Sequence, residues 1–344
     1  MPDDVMRSAA QLRPGIQAYS LKDAISKKNM PLLIGSGEEN FVDRERDLCI
    51  CGRWRVALAS SPLVSAQARN EENGRYLFYA GGCASCHATP ASAKCDDPNY
   101  KDPLTLTGGR CLKSAFGTFY VPNISQDKQS GIGGWSDSDF IRAMTEGVSP
   151  TGKHYYPAFP YASYRRMTRD DLLDLKAFLD TLPAAPSKAP ENEIAFPYNI
   201  RWGLGLWKQL NLNGGTFKPD PSKSPQINRG AYLVEGPGHC GECHTPRNWL
   251  GGTIEGRKLS GAPNPDGKGF VPNITPDGTG LAPWSQKDIV YALETGFTRD
   301  GDVIGGSMAK VQDNLAKLTP EDREAIAAYI KSIPPIANER PKKK

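Results

Sequence analysis

Two segments of the chain place apolar residues at the spacing of an amphipathic helix. These residues are Leu172, Leu175, Leu179 and Leu182 in the first segment, and Ile326, Ile330 and Ile333 in the second. A threonine precedes each segment, and acidic residues follow it at once, where the helix dipole favours negative charge. The pattern therefore predicts helices over 168–183 and 319–334, with Thr168 and Thr319 as their N-caps.

These two helices close two copies of one repeated unit. A Val-Pro-Asn-Ile loop ends at Ile124 in the first copy and at Ile274 in the second, and a tryptophan and then a glycine follow at nearly equal distances. Each copy opens with a short apolar helix and contains a middle helix that starts at a capping serine. We predict the following organisation: an N-terminal extension at 1–68, a first domain at 69–183, a connector at 184–226, a second domain at 227–336 and a basic tail at 337–344.

The connector contains six prolines, which favours an extended linking segment over a long helix. Its centre, at 196–212, is apolar and aromatic. We expect this centre to pack as a strap across the two domains. The alternative is a docking surface for a partner.

The composition limits the number of domains and the classes of partner. The chain has 344 residues, enough for about two domains, and 35 glycines and 29 prolines indicate many loops. A net charge of +4 does not suggest nucleic-acid binding. Because the chain lacks a run of about 18 apolar residues, we expect membrane association to be peripheral or through a partner.

The cysteines carry the candidate chemistry. Cys83, Cys86 and His87 form one CxxCH motif, and Cys240, Cys243 and His244 form a second. On one helical turn both thiols lie on the same face, so that they can bind the two vinyl groups of one porphyrin. The following histidine is then the proximal iron ligand. We therefore predict two covalently attached haem c groups.

Zinc binding, thioredoxin-like chemistry and plain disulfides are the competing interpretations of these cysteines. The two motifs lie 157 positions apart, much further than the two knuckles of a usual four-cysteine zinc site. None of these interpretations accounts for both histidines.

The distal iron ligands differ between the copies. Met308 precedes the second closing helix and is the predicted distal ligand of the second haem, since methionine opposite histidine is the ordinary arrangement. In the first copy Phe159 stands where a methionine is expected. Met167, Met144 and His154 remain candidates for the first haem, with Met167 first and His154 next, and an open iron is the further alternative.

Other residues carry smaller predictions. Cys95 and Cys111 are expected to form a disulfide in the long loop of the first copy, which requires an oxidising compartment. His239 is expected to be exposed near the haem edge rather than to bind iron. Upstream, 53–68 resembles a signal peptide with cleavage after Ala68, which would remove Cys49 and Cys51.

The order of elements resembles the class I cytochrome c fold, an all-α fold in which loops wrap the haem and the first and last helices cross. The stretches FGTFYVPNIS and GPGHCGECHTPRNWLGG are similar to the cytochrome c subunits of bacterial membrane-associated dehydrogenases, of the alcohol, aldehyde, sugar and nicotinate dehydrogenase types. The resemblance covers about residues 70–335. It implies two tandem cytochrome c domains.

This resemblance also implies a function. We expect an electron-transfer subunit in the bacterial periplasm, where it could lie on the periplasmic face of the inner membrane, rather than an enzyme. Its electron donor would be a dehydrogenase catalytic subunit, and its acceptor a quinone, an oxidase or another cytochrome. The alternative is a di-haem cytochrome c peroxidase, which needs one haem with an open distal site.

Overall fold

The computed structural model describes residues 68–90, 99–265, 267 and 269–339. Outside these residues lie 53–67 of the predicted signal peptide, Cys49, Cys51, Cys95 and the end of the basic tail. All described residues belong to the compact unit Ser65–Lys344.

Helices dominate the described part of the chain. They are α1 (Glu71–Ala80), α2 (Cys83–His87), α3 (Asp137–Glu146), α4 (Tyr161–Tyr164), α5 (Arg169–Asp180), α6 (Gly203–Asn211), α7 (Pro225–Glu235), α8 (Gly241–His244), α9 (Gln286–Thr295), α10 (Ser307–Leu315) and α11 (Pro320–Ser332), with a 3₁₀ turn at Glu255–Arg257. None of these described helices combines the length and the apolar character that crossing a bilayer requires.

Short antiparallel strands supplement the helices and were not part of the all-α prediction. They are β1 (Thr89–Pro90), β2 (Tyr100–Asp102), β3 (Cys111–Ser114), β4 (Gly117–Tyr120), β5 (Glu193–Ile194), β6 (Ala262–Pro263) and β7 (Phe270–Val271). β1 pairs with β2, β4 lies between β3 and β5, and β6 pairs with β7. In the hairpin of β3 and β4, Cys111 lies opposite Tyr120. Such strands of two to four residues leave too short a pattern to be predicted from sequence.

The predicted helix starts are confirmed. The hydroxyls of Thr168 and Thr319 accept hydrogen bonds from backbone N–H groups in the first turns of α5 and α11. Ser136 and Ser285 form complete capping boxes at α3 and α9. The repeated pattern of small polar residues therefore corresponds to a repeated set of helix starts.

Two glycines allow the helices of each half to cross closely. A Cβ on Gly74 of α1 would lie 1.9 Å from the carbonyl oxygen of Asp174 in α5. A Cβ on Gly230 of α7 would lie 1.9 Å from the carbonyl oxygen of Ala325 in α11. The first and last helices of each half therefore cross backbone to backbone, and each crossing borders a separate apolar core.

Helix α6 in the connector contacts both halves. The buried Lys208 ammonium donates to the carbonyl oxygens of Glu146 and Gly147, at 2.6 and 2.7 Å. The Trp207 indole donates to the carbonyl oxygen of Leu250, at 2.8 Å. The connector thus contacts both halves, as a strap would, through a helix that was not predicted. Its centre also leaves Phe196, Trp202 and Leu210 largely exposed, as the alternative of a docking surface predicts.

Candidate haem sites

Both CxxCH motifs lie on helical turns, as predicted. The first forms α2, and the second covers Cys240 and α8. Gly82, which precedes α2, has a φ of +56°, a left-handed conformation that glycine adopts without strain. The thiols of Cys83, Cys86, Cys240 and Cys243 are free of disulfides. Four thiols are thus available for thioether bonds.

The two histidines are held in the same way. Nδ1 of His87 lies 2.9 Å from the carbonyl oxygen of Pro122, and Nδ1 of His244 lies 2.8 Å from that of Pro272. A carbonyl only accepts hydrogen bonds, so that Nδ1 carries the proton and Nε2 keeps its lone pair for a metal. Burial lowers the pKa of both rings, that of His87 to about 4. Both imidazoles are therefore neutral, as iron ligation requires.

An asparagine next to each proline fixes the loop that orients the histidine. The Asn123 side chain accepts from the backbone N–H of Ser125 and donates to the carbonyl oxygen of Ala185. The Asn273 side chain accepts from the backbone N–H of Thr275 and donates to the carbonyl oxygen of Ile336. Both side chains are buried. The sequence contained the signal, since the Pro-Asn-Ile loop is repeated, but we assigned these asparagines no role.

These residues fit haem c. Each turn offers two thiols and a neutral histidine in the order that covalent attachment needs. Among the described residues, no group of three or more His, Cys, Asp or Glu side chains is placed so that it could hold a metal ion. When bound, haem supplies an iron that takes up and releases one electron.

Met308 lies in the first turn of α10, partly buried against the second core. The loops before it match in the two halves: Tyr155 donates its backbone N–H to the carbonyl oxygen of Gly147 at 2.7 Å, and Ile304 donates to that of Gly296 at 2.8 Å. Phe159 and Met308 each follow four residues later. The structure therefore places Phe159 at the position of Met308 in the repeat.

His154 lies against the connector. Its Nδ1 is 3.0 Å from the Lys208 ammonium, which can only donate, so that the proton of the neutral ring is on Nε2. Nε2 in turn lies 3.3 Å from where a Cβ of Gly205 would be. Burial and then Lys208 lower the pKa of His154. Nδ1 of His154 is thus bonded to Lys208 of α6, and Nε2 lies beside Gly205 of the same helix.

The two methionine candidates of the first half are buried in its core. Met167 is 2% exposed and Met144 is 8% exposed. In the second half, Leu318 and Leu293 occupy the equivalent places before α11 and in α9, and both are core residues. Burial alone therefore does not separate a ligand from a core residue at these positions.

Cys111 is buried and disulfide-bonded. The partner predicted for it, Cys95, lies outside the described residues. The pairing of Cys95 with Cys111 therefore stays a prediction.

Each attachment turn is held by the other half of the molecule. Ser85, inside the first motif, accepts a hydrogen bond from the side chain of Asn314 in α10 at 2.9 Å. Glu242, at the same place in the second motif, accepts one from the hydroxyl of Ser163 in α4 at 3.0 Å. His239 adds a third contact, from its Nε2 to the carbonyl oxygen of Gly81 at 3.2 Å. The two motifs therefore lie on facing surfaces of the two halves.

Two tyrosine hydroxyls also form equivalent hydrogen bonds between the halves. The Tyr76 hydroxyl in α1 donates to the Asp322 carboxylate and accepts from the backbone N–H of Thr319, at the start of α11. The Tyr232 hydroxyl in α7 makes the same contacts with Asp171 and Thr168, at the start of α5. The opening helix of each half is therefore bonded to the closing helix of the other.

An ion-pair cluster completes the contact between the halves. The Glu235 carboxylate pairs with Arg166 at 2.7 Å and Lys258 at 2.8 Å and accepts a hydrogen bond from Tyr329. Burial acts to raise the pKa of Glu235, but Lys258, Tyr329 and Arg166 together outweigh it and leave this pKa below its ordinary value. Glu235 is therefore charged, and its pairing with Arg166 joins the two halves.

Comparison with known proteins agrees with this geometry. Residues 71–183 match the family model described as cytochrome c. The chain is 47% identical to "Diheme cytochrome c-type" of Cereibacter sphaeroides, over 83% of this chain and 94% of the relative. It is 34% identical to "Fructose dehydrogenase cytochrome subunit" of Gluconobacter japonicus, over 79% of this chain and 54% of the relative. It is 35% identical to "Alcohol dehydrogenase (quinone), cytochrome c subunit" of Gluconacetobacter polyoxogenes, over 82% of this chain and 59% of the relative.

The chain thus spans nearly all of the first relative, but less than two thirds of the two dehydrogenase subunits. The family match and the CxxCH turns both indicate covalently bound haem c, and the relatives are cytochrome subunits rather than catalytic ones. The function is electron transfer, and the chain belongs to the di-haem c-type cytochromes.

Proposed function

We propose that this chain relays electrons from a dehydrogenase catalytic subunit through two haem c groups, held in tandem cytochrome c domains at 69–183 and 227–336. The observation that carries the proposal is the identical setting of both motifs, in which each histidine donates Nδ1–H to a prolyl carbonyl. Cys83 and Cys86 would hold the first haem, and Cys240 and Cys243 the second. His87 and His244 would be the proximal ligands.

For the distal positions we propose Met308 at the second haem and Met167 at the first. Met308 precedes the closing helix of its half, and both Met308 and Cys240 pack against the second core. Met167 is buried in the core that also packs Cys83 and Phe159. His154 is the weaker candidate, because Lys208 of α6 is bonded to its Nδ1 and its Nε2 lies beside Gly205.

The proposed donor follows from the names of the relatives, which are cytochrome subunits of fructose and alcohol dehydrogenases. A quinone, an oxidase or another cytochrome would accept the electrons. We place the protein in the periplasm, peripheral to the membrane or bound to it through a partner. A disulfide between Cys95 and Cys111 would suit that oxidising compartment. The relatives give no support to the peroxidase alternative.

A haem count tests the core of this proposal. We expect the purified protein to contain two covalent haem groups per chain by mass spectrometry, with low-spin spectra and no turnover of hydrogen peroxide. Replacing Cys83 and Cys86 by alanine should remove one haem, and replacing Cys240 and Cys243 should remove the other. One haem in the unmodified chain, or a high-spin haem that reduces peroxide rapidly, would contradict it.

A second experiment identifies the distal ligand of the first haem. Met167→Leu should abolish the sulfur-to-iron charge-transfer absorption of that haem and lower its midpoint potential, because thioether ligation raises it. Met144→Leu is the matched control and should leave both unchanged. Loss of the ligand signature in His154→Gln, and not in Met167→Leu, would overturn the assignment.

A further inference from the structure

His239 stands where the first copy of the repeat has Gly82, so its imidazole has no counterpart there. Gly74 and Gly230 mark the same point in both halves, since each lies where the opening helix crosses the closing helix. Nine positions separate Gly74 from Cys83, whereas ten separate Gly230 from Cys240. The additional residue lies between Gly230 and His239, because Gly82 and His239 each precede the first cysteine directly, have a positive φ and donate the backbone N–H to the carbonyl oxygen three residues earlier.

The backbone at His239 is unusual for a residue that carries a side chain. His239 has a φ of +39°, in the left-handed region that residues with a side chain rarely adopt. Its backbone N–H donates to the carbonyl oxygen of Gly236, which closes a tight turn after α7. This turn projects the half-buried imidazole away from its own half.

The ring is directed into the first attachment turn. Nε2 donates to the carbonyl oxygen of Gly81, two residues before Cys83, at 3.2 Å. The imidazole also meets the ring of Tyr164 edge to face, with the centroids 5.7 Å apart. Burial, and then the Cys83 and Cys86 thiols, raise the pKa of Tyr164, as expected for a residue beside that turn.

The backbones of the two turns approach closely at this point. A Cβ on Gly81 would lie 3.4 Å from the carbonyl oxygen of Pro237 and 3.6 Å from the Cys83 sulfur. A Cβ on Gly238 would lie 3.7 Å from the Cys240 sulfur. The hydrogen bond of His239 therefore connects the two chain segments that lead into the two pairs of thioether cysteines.

We propose that His239 is a positioning residue for electron transfer between the two haem groups, because it fixes the second attachment turn against the first. This inference rests on the proposed function, in that both motifs must carry haem. Electron tunnelling slows steeply as the distance between donor and acceptor grows. A link between the segments that carry the haem groups therefore sets the rate without touching either iron.

The Nε2 hydrogen bond also excludes iron ligation through this nitrogen of His239. Its Nε2 proton is directed to the Gly81 carbonyl oxygen, so this nitrogen has no lone pair for iron. Replacing His239 should consequently leave both haem spectra and both midpoint potentials unchanged. Only the rate of electron exchange between the haem groups should change.

The test compares His239→Leu, which removes the donor, with His239→Gln, which keeps an N–H at the end of a side chain. Both variants are first shown by mass spectrometry to carry two haem groups, which tests the proposed function separately. Pulse radiolysis then reduces one haem per molecule, and the re-equilibration between the haem groups is followed by absorbance. We expect His239→Leu to slow re-equilibration by up to about fivefold, which is the change in an equilibrium constant when one net hydrogen bond of about 1 kcal/mol is lost. His239→Gln should restore most of the rate.

Three results would overturn the proposal. The first is an unchanged rate in His239→Leu. The second is equal slowing in both variants, since the Nε2 hydrogen bond would then not be the cause. The third is a changed low-spin spectrum of either haem in His239→Leu, which would make His239 an axial ligand.

Discussion

Replacing Gly230 by alanine tests whether the close helix crossing organises each half. A Cβ at this position would lie 1.9 Å from the Ala325 carbonyl oxygen and 2.8 Å from the Tyr329 Cβ. Real Cβ atoms essentially never come closer than 3.0 Å to such neighbours, so that α7 and α11 must separate by about 1.1 Å. The nearest obstacle is backbone in a buried helix, and it cannot rotate away as a side chain could.

The expected loss of stability follows from two opposing effects. Overpacking a core usually costs about 1–3 kcal/mol, and a backbone obstacle places this case at the upper end. Alanine in a helix recovers about 0.5–1 kcal/mol relative to glycine. The net destabilisation is then about 2 kcal/mol, which at about 2–4 °C per kcal/mol lowers Tm by about 4–8 °C.

Thermal denaturation of the haem-loaded protein, followed by circular dichroism, measures this effect. Gly203→Ala is the matched control, because Gly203 begins α6 and a Cβ there would meet nothing within 4 Å. Its Tm should be unchanged or slightly higher. If Gly230→Ala were as stable as Gly203→Ala, the crossing would not depend on glycine, and the reasoning would be wrong.

Three further predictions concern the contacts around the sites. Asn273→Ala should destabilise the second half by about 1–3 kcal/mol, because it leaves buried polar groups without partners, and should move the potential of one haem only, as spectroelectrochemistry would show. Tyr76→Phe and Tyr232→Phe should each lower the free energy of unfolding by about 1 kcal/mol, as measured by chemical denaturation. If the double variant were as stable as the unmodified chain, these hydrogen bonds would not hold the two halves together. The pKa of Glu235 in the folded protein lies below its ordinary value. The charged carboxylate therefore stabilises the fold at pH values above the ordinary pKa, and this stabilisation is lost as the pH falls through the folded pKa. Glu235→Gln should therefore lose less stability than the unmodified chain when the pH falls from neutral to below the pKa of a free carboxyl group.

The sequence predicted the parts of each half that local chemistry determines. Capping residues such as Thr168 and Thr319 start helices because their hydroxyls satisfy N–H groups a few residues away. The CxxCH spacing requires a helical turn for the same local reason. Helix α10 was missed even though Met308, Val311 and Leu315 have helical spacing, because we expected a ligand loop there.

Contacts between the halves could not be predicted in this way. Tyr76 and Asp322 are 246 positions apart, and no periodicity within either segment connects them. The orientation of His154 toward α6 likewise depends on how the connector folds back, which its prolines do not specify. The contact of His239 with Gly81 likewise joins residues 158 positions apart, and no local pattern indicates it.

The reciprocal bonds of Tyr76 and Tyr232 have the form of an isologous interface, in which the same patch serves both partners. Such an interface in a homodimer weakens as the protein is diluted. Here the segment 184–226 joins the partners, so that their association is intramolecular and has a fixed effective concentration. The pairing of the two attachment turns is therefore independent of how many copies of the protein a cell contains.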